Sequence, residues 1–361
     1  MNDYYIHEET RDTQEGEPRL VVVGDTHCRF DRLEQMIARE QRRGPVVAAL
    51  HCGDLGLYDR GSKERLPRRE RALIVKHKNP LDLCYPYLEG EQSLPVPLWG
   101  VPGNHEDFQV VEKLERGLRR LPNLSLLVPG QRVTLELGQT SLVVMGLGRI
   151  LPAELSPRSL RRPKYIRADA LARAAEGPAP DVLLLHEPPL LRIGRGTFGS
   201  PEVSRLVRAL RPGLVLCGHM HFEYRAELDG IPVVGLGYGM AGRYGVVDRG
   251  LEVRFEDLQG RPSRLREVSE EAPVEQAPGA EEQQRRARKR QNRLQRTPLP
   301  LTGREVIRHF QLGRLRKGGK RKVDRLMGQL RRHLVEQGSL TRAQALAHAA
   351  AYLRDNHLLA P

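Results

Sequence analysis

The chain is 361 residues long, 39% hydrophobic and 29% charged, with 59 Lys/Arg against 45 Asp/Glu for a formal net charge of +14. That length supports one large domain with an appendage, or two domains, and no apolar run approaches the ~20 residues of a membrane span. The charge is uneven: residues 281–361 hold 20 Lys/Arg and 6 Asp/Glu while residues 1–280 hold 39 of each, so a neutral body carries a basic tail suited to a polyanionic partner.

In chain order, the leader Met1–Pro18 is polar and acidic without an apolar h-region, so no secretory signal is expected. Cys28, Cys52, Cys84 and Cys217 are widely spaced and form no C-x-x-C, which points to a reducing, cytoplasmic setting with neither a structural zinc nor a disulfide framework. A first strand runs from Arg19 to Gly24 and is followed at once by Asp25 and His27. Asp31–Arg43 has helical spacing. A second strand, Pro45–Leu50, leads into His51-Cys52-Gly53-Asp54. The longer, more charged stretch Leu55–Gln92 reads as an insertion with a basic helix, more a solvated face than a cap over substrate.

The third strand, Val96–Val101, runs into Pro102-Gly103-Asn104-His105-Glu106, where a glycine lets the chain turn sharply, and a helix follows over Asp107–Arg120. Gln131–Leu137 and Ser141–Gly146 pattern as a hairpin about Gly138. A loop rich in Pro and Arg, Leu151–Lys164, and a helix at Ala168–Ala175 precede the apolar run from Asp181, which ends at His186-Glu187. Ser200 is a candidate cap for a helix to Leu210, with Pro201 in its first turn and Val203, Leu206, Val207 and Leu210 on one face. The strand Gly213–Cys217 ends in Gly218-His219-Met220-His221, whose two histidines point the same way if the backbone stays extended. Strands at Tyr224–Leu228, Pro232–Leu236 and Leu251–Phe255 close the body.

Residues 259–300 read as a charged linker, most clearly from Glu267, where few large apolar side chains remain. The last segment, 301–361, regains an amphipathic pattern in three helices, Gly303–Leu312, Lys322–Gln337 and Thr341–Leu359, with a glycine-hinged basic loop at Arg314–Lys322. Such a loop suits phosphate backbones, held by charge in a salt-dependent way. Phe310 and Tyr352 offer little for base stacking.

Five strand ends thus carry metal-ligand side chains, and in an α/β sheet ligands gather beyond the carboxyl ends of the strands. The set exceeds what one ion needs and suits a pair of ions with oxygen and imidazole donors. Gly24-Asp25-Thr26-His27, Gly53-Asp54, Gly103-Asn104-His105-Glu106, His186 and Gly218-His219-Met220-His221 resemble, in order, the five signature motifs of the calcineurin-like metallophosphoesterases. The resemblance spans about residues 19–258. It implies a four-layer αββα sandwich, to which the tail adds a small basic all-α domain.

The same resemblance implies Asp25, His27, Asp54 and His221 at one metal and Asp54, Asn104, His186 and His219 at the other, with Asp54 the bridge. Manganese comes first among the metals, with iron, zinc, cobalt, nickel or magnesium as alternatives. Two such ions would lower the pKa of a shared water, so that a bridging hydroxide attacks the phosphate ester. His105 would protonate the leaving oxygen or steady the phosphate. Glu106, at a helix start, reads as structural, and Arg149 and Glu187 as outer residues.

Asp59-Arg60-Gly61 resembles the Asp-Arg-Gly of protein Ser/Thr phosphatases but lies two residues too far along. Tyr85-x-Tyr87-x-x-Gly90-Glu91 and Gly199-Ser200-Pro201 are similar to RNA lariat debranching enzymes, which carry cysteine where Asp25 stands. Pro300–Gly313 and the helices after it resemble the carboxyl-terminal helical region of tRNA nucleotidyltransferases and poly(A) polymerases. The expectation is a phosphomono- or diesterase acting on nucleic acid, RNA first, recruited by residues 281–361. A phosphatase or phosphodiesterase for small molecules or phosphoproteins, and a non-catalytic nucleic-acid-binding protein, are the alternatives.

Overall fold

Leu20–Val23 is buried throughout, as a strand lying between two packed layers must be, and it forms β1 (Arg19–Val23). The structure, a computed structural model, describes residues 16–152 and 162–270, and beyond them 305–306, 309–310, 323, 326–327, 329–330 and 342–355. After β1 come α1 (Phe30–Gln41), β2 (Val46–His51), α2 (Ser62–Arg65), α3 (Arg68–His77), α4 (Tyr85–Leu88), β3 (Leu98–Gly100), α5 (Phe108–Glu115), β4 (Leu124–Leu126), β5 (Arg132–Leu137) and β6 (Thr140–Leu147). The chain continues through α6 (Ala168–Ala175), β7 (Val182–Leu185), β8 (Leu191–Ile193), β9 (Gly196–Phe198), α7 (Pro201–Leu210) and β10 (Leu214–Cys217). Next are β11 (Tyr224–Leu228), β12 (Ile231–Gly235), β13 (Arg243–Val247), β14 (Val253–Asp257), β15 (Arg266–Glu267) and β16 (Ser269–Glu270).

A six-stranded sheet has the order β14-β13-β1-β2-β3-β4, and a seven-stranded sheet the order β15-β11-β12-β10-β7-β6-β5. β1 to β4 run parallel, as do β6, β7, β10 and β12. The period of two then sorts the side chains. Leu20, Val22, Val182, Leu184, Leu214 and Leu216 meet in the seam between the sheets. Val21 and Val23 face outward onto Phe30, Leu33, Met36 and Ile37 of α1. Leu183, Leu185 and Val215 face Ala170 and Ala174 of α6 and Val203, Leu206, Val207 and Leu210 of α7. Three apolar seams separate four layers, so the body is an αββα sandwich.

Helix α7 begins as its sequence implies: Ser200 Oγ accepts the N–H of Glu202 at 3.2 Å and of Val203 at 3.4 Å, and Pro201 occupies the first turn. The short strands β4, β8 and β9 carry too few residues to show a period, and β13 is interrupted by Gly245. None of them was legible in the sequence.

Two expectations are corrected. Residues 266–270, read as linker, are bound to the body. β15 pairs with β11 and β16 with β8, Arg266 lies 4.4 Å above the Phe222 ring, and Glu270 meets Arg208 at 2.6 Å. Backbone pairing holds these charged residues, and composition does not reveal it. The 55–92 insertion, in turn, is more than a solvated face. Leu66, Ile74, Leu81, Cys84, Tyr87 and Leu88 join the outer seam, with Tyr87 stacked on Phe30 at 4.5 Å. Arg65 bridges Asp59 and Asp107, each at 2.5 Å.

The chain divides into two units, Met1–Ala272 and Pro273–Pro361. Among the described residues of the second, α8 (Arg342–Asp355) lays Ala345, Ala349 and Leu353 in one stripe against Val306, Val323, Leu326, Met327 and Leu330. The basic loop at Arg314–Lys322, the linker beyond residue 270 and most of the two preceding helices expected from the sequence lie outside the described residues. No helix among the described residues is long and apolar enough to cross a membrane.

Candidate metal centre

β1, β2 and β3 of one sheet and β7 and β10 of the other all point their carboxyl ends to one edge, and all five sequence motifs follow those ends. Asp25, His27 and His221 bring ligand atoms within 4.8 Å of one another, and so do Asp25, Asp54 and His186. Asp54 Oδ2 stands 3.9 Å from His27 Nε2 and 3.6 Å from His186 Nε2. The carboxylate therefore lies between the two sets of imidazoles. Asn104 Oδ1 is 3.0 Å from His186 Nε2. The His219 ring packs edge-on to His186 at 4.9 Å, and its backbone N–H donates to both Asp25 oxygens, at 3.2 and 2.9 Å.

The loops that hold these residues are sharply bent. Asp25, His27, Asp54, His219 and His221 all have φ between 45° and 70°, a region that costs non-glycine residues of order 1–3 kcal/mol each and that clusters at functional sites. His219 and His221 are therefore not extended, and the condition under which they would point the same way is not met. Both nonetheless reach Asp25, His221 Nε2 at 3.1 Å from Oδ1. Two motif glycines permit the close approach. A Cβ on Gly53 would strike the His186 ring, and one on Gly103 would strike the Asp54 carboxylate.

Protonation states favour a cation. Burial pushes the Asp54 carboxyl up, but His186, His27 and His105 together hold it below the ordinary range. Burial lowers His27, against the pull of Asp54 and Asp25, and lowers His219 to about 4. Burial lowers His221, but its hydrogen bond to Asp25 together with the charges of Asp25 and Asp54 leaves it raised. His186 Nδ1 is 2.8 Å from the Cys52 carbonyl, which can only accept, so Nδ1 carries a proton and Nε2 is the nitrogen turned toward Asn104 Oδ1 and Asp54 Oδ2. Asp54 Oδ2 is buried with no hydrogen-bond partner among the described residues. An oxygen and imidazole donor set of this kind fits divalent ions.

His105 is half-buried at the mouth of the site. Its N–H donates to Asp54 Oδ1 at 2.7 Å, and its carbonyl accepts the Tyr58 hydroxyl at 2.6 Å. A cleft beside it is lined by Tyr58, Glu70, Leu73, Ile74 and Asn79, so α3 of the insertion reaches the site. Glu106 is structural, but not through a helix end: its carboxylate accepts the N–H groups of Leu55, Gly56 and Leu57 at 3.0, 3.1 and 2.6 Å and holds the loop after Asp54. Asp107 caps α5 instead. Arg149 grips Glu115 through both terminal nitrogens, at 2.7 and 2.8 Å.

Sequence reasoning missed two neighbours. His51 is buried, and burial takes its pKa to about 3. Its Nδ1 accepts the Gly53 N–H at 3.2 Å, so Nε2 donates to Thr26 Oγ1 at 3.0 Å, and Thr26 Oγ1 donates to the Leu55 carbonyl at 3.2 Å. Tyr238 stacks on His221 at 4.4 Å, in a turn whose Gly239 and Met240 N–H groups bond the carbonyls of Gly24 and Asp25, both at 3.0 Å. The signals available were a histidine three residues ahead of Asp54 and an aromatic between two glycines.

Residues 18–223, over half of the chain, match the family described as calcineurin-like phosphoesterase. The human lariat debranching enzyme is 24% identical over 240 residues, which cover 58% of this chain and 43% of that protein. The chain thus spans less than half the length of this curated relative. Among solved structures, the protein TT1561 of Thermus thermophilus shares 17% identity over 67% of this chain and all of that one, with a TM-score of 0.44. An archaeal phosphodiesterase shares 12% over 66% of this chain and 99% of that one, with a TM-score of 0.33.

Proposed function

The chain belongs to the calcineurin-like phosphoesterase family, a family of metal-dependent hydrolases of phosphate esters, and from that premise we propose that it cleaves phosphate esters of nucleic acid, RNA first, with a two-metal centre. Asp25, His27, Asp54 and His221 hold one ion and Asp54, Asn104, His186 and His219 the other, manganese being the first candidate. Bound there, two divalent ions supply an activated water and charge neutralisation for the phosphate.

The chain's own residues do the rest. The Cys52 carbonyl fixes the His186 tautomer, the convention by which a ligand's far nitrogen is oriented from outside. His105, half-buried with its backbone N–H on Asp54, would deliver a proton to a leaving oxygen or hydrogen-bond the phosphate. The observation that carries this reading is Asp54 Oδ2, buried between His27 and His186 without a hydrogen-bond donor.

Nucleic acid is preferred because the whole excess of positive charge lies in residues 281–361. RNA is placed first because a relative at 24% identity is named a lariat debranching enzyme. Debranching itself is not proposed, since Asp25 stands where that enzyme family carries cysteine.

A matrix of metals against aryl phosphodiester, RNA, DNA, cyclic nucleotides and phosphopeptides tests the reading, with Asp54→Ala and His105→Ala as controls. Manganese-stimulated hydrolysis of the aryl ester is expected, abolished in Asp54→Ala. Deleting residues 281–361 should weaken action on RNA and spare the aryl ester. Unchanged activity on RNA and DNA after that deletion, or activity confined to phosphopeptides, sinks the nucleic-acid assignment.

A further inference from the structure

Lys164 is half-buried, yet among the described residues its ammonium makes no ion pair or hydrogen bond, and its one ring contact is with Tyr165 at 5.6 Å. A lysine partly withdrawn from water inside a fold ordinarily sits on a carboxylate. This one is held in place by its backbone. Tyr165 N–H bonds the Arg162 carbonyl at 3.1 Å, and the Lys164 carbonyl accepts the Ile150 N–H at 3.2 Å.

Arg149, next to Ile150, bolts this turn to the metal centre. Its Nε donates to the Pro163 carbonyl at 2.8 Å, and its backbone N–H to the Pro102 carbonyl at 2.6 Å. Pro102 immediately precedes Gly103 and Asn104. The turn 162–165 is therefore carried on the same support as a proposed metal ligand.

Asp54, Glu70, Arg69 and Arg162 all lie near enough to act on Lys164. Burial lowers its pKa, Arg69 and Arg162 push the same way, and Glu70 and Asp54 oppose them. Arg69 and Arg162 are exposed, and Glu70 also lines the cleft beside His105. With Asp54 committed to cations, three basic groups, Lys164, Arg69 and Arg162, stand against one carboxylate, Glu70.

We propose that Lys164, flanked by Arg69 and Arg162, forms a subsite for a second phosphate of the substrate, the phosphate adjacent to the scissile one in a nucleic-acid strand. The proposal rests on the phosphoesterase reading of the centre and narrows its substrate class, since a lone phosphate ester leaves this cation unmatched. Anion binding beside the site offsets the cost of holding three like charges together.

The test uses the full chain with manganese and three substrates: an aryl phosphodiester with a single phosphate, a short oligoribonucleotide, and a dinucleoside diphosphate with a pyrophosphate link. Lys164→Gln should lower kcat/KM by about tenfold or more, mainly through KM, on a two-phosphate substrate, and leave the aryl ester within about twofold. Loss on the oligonucleotide places the second phosphate in a strand, and loss on the pyrophosphate alone places it in a nucleotide. Arg69→Gln should act in the same direction more weakly.

Binding provides a second readout. With chelator present, the salt slope of oligonucleotide affinity should fall by about 1 in Lys164→Gln, as for one phosphate contact removed. Equal losses on all three substrates, or none, overturn the subsite. If the wild type cleaves the aryl ester but neither two-phosphate substrate, the nucleic-acid reading fails. The subsite is then decided by binding, and an unchanged affinity and slope reject it.

Discussion

His51 Nε2 lies 3.0 Å from Thr26 Oγ1, and this buried contact ties the loop bearing Asp25 and His27 to the loop bearing Asp54. Neither residue touches the proposed ions. Partners of this outer kind typically change metal affinity 10–100-fold, so His51→Ala should weaken manganese binding by about that factor. Activity should recover at saturating manganese, because the ligands themselves remain. Thr26→Val, of similar shape but unable to accept from His51, should show the same pattern. Metal titration with parallel kcat measurement checks it, and a fall in kcat that excess metal cannot restore would place His51 in the chemistry instead.

Asp54→Asn separates ion binding from folding. Asp54 Oδ1 accepts the His105 N–H at 2.7 Å, a bond that asparagine keeps, and an amide at the Oδ2 position removes a buried charge that has no hydrogen-bond partner among the described residues. The metal-free variant should therefore be as stable as wild type or more so. Metal at 100 times its Kd adds about 2.7 kcal/mol to the native state, which for a chain of this size raises Tm by about 3–5 °C. That rise, reversed by chelator, is expected in wild type and lost in Asp54→Asn. Equal rises in both proteins would remove Asp54 from the centre.

The five motifs were legible because each is a short string at the end of an apolar strand. Their conformations were not. The left-handed φ of Asp25, Asp54 and His221 depends on hydrogen bonds to partners far along the chain, such as His219 N–H to Asp25. His51 and Tyr238 escaped notice for the same reason, and Lys164 was visible only as one charge of a basic loop. Each matters through a residue far from it in sequence, and none sits in a pattern that local periodicity can register. The insertion was misjudged because its basic residues are conspicuous while the apolar side of α3, Leu73 and Ile74, is short.

Glu40 shows how the outer layer is fastened. Fully buried on α1, it accepts the Tyr244 hydroxyl at 2.7 Å and meets Arg43 at 3.0 Å and Arg254 at 3.3 Å, joining the helix to β13 and β14. Glu40→Ala strands a buried hydroxyl and should destabilise by about 1–3 kcal/mol. The two arginines are partly exposed, so solvent screens their share. Glu40→Gln, which still accepts from Tyr244, should cost less. A denaturant series with Tyr244→Phe and the double mutant measures the coupling, and strict additivity would show that the hydroxyl contact contributes nothing.

Asp257 makes the acid limb of stability testable. Burial raises its pKa, but bonds from Arg261 and the Gln259 N–H, with Arg243 2.8 Å from Oδ2, hold it below the ordinary value. A carboxyl depressed in the folded state adds stability that is complete above its unfolded pKa of about 3.9 and disappears as pH falls through the folded value. Asp257→Asn should therefore melt below wild type near pH 6, and the two curves should converge as pH falls through the folded-state value. Melting both with chelator across that range decides the matter. A gap that stays constant down to the acid end would mean that the side chain acts by shape and hydrogen bonding rather than by charge.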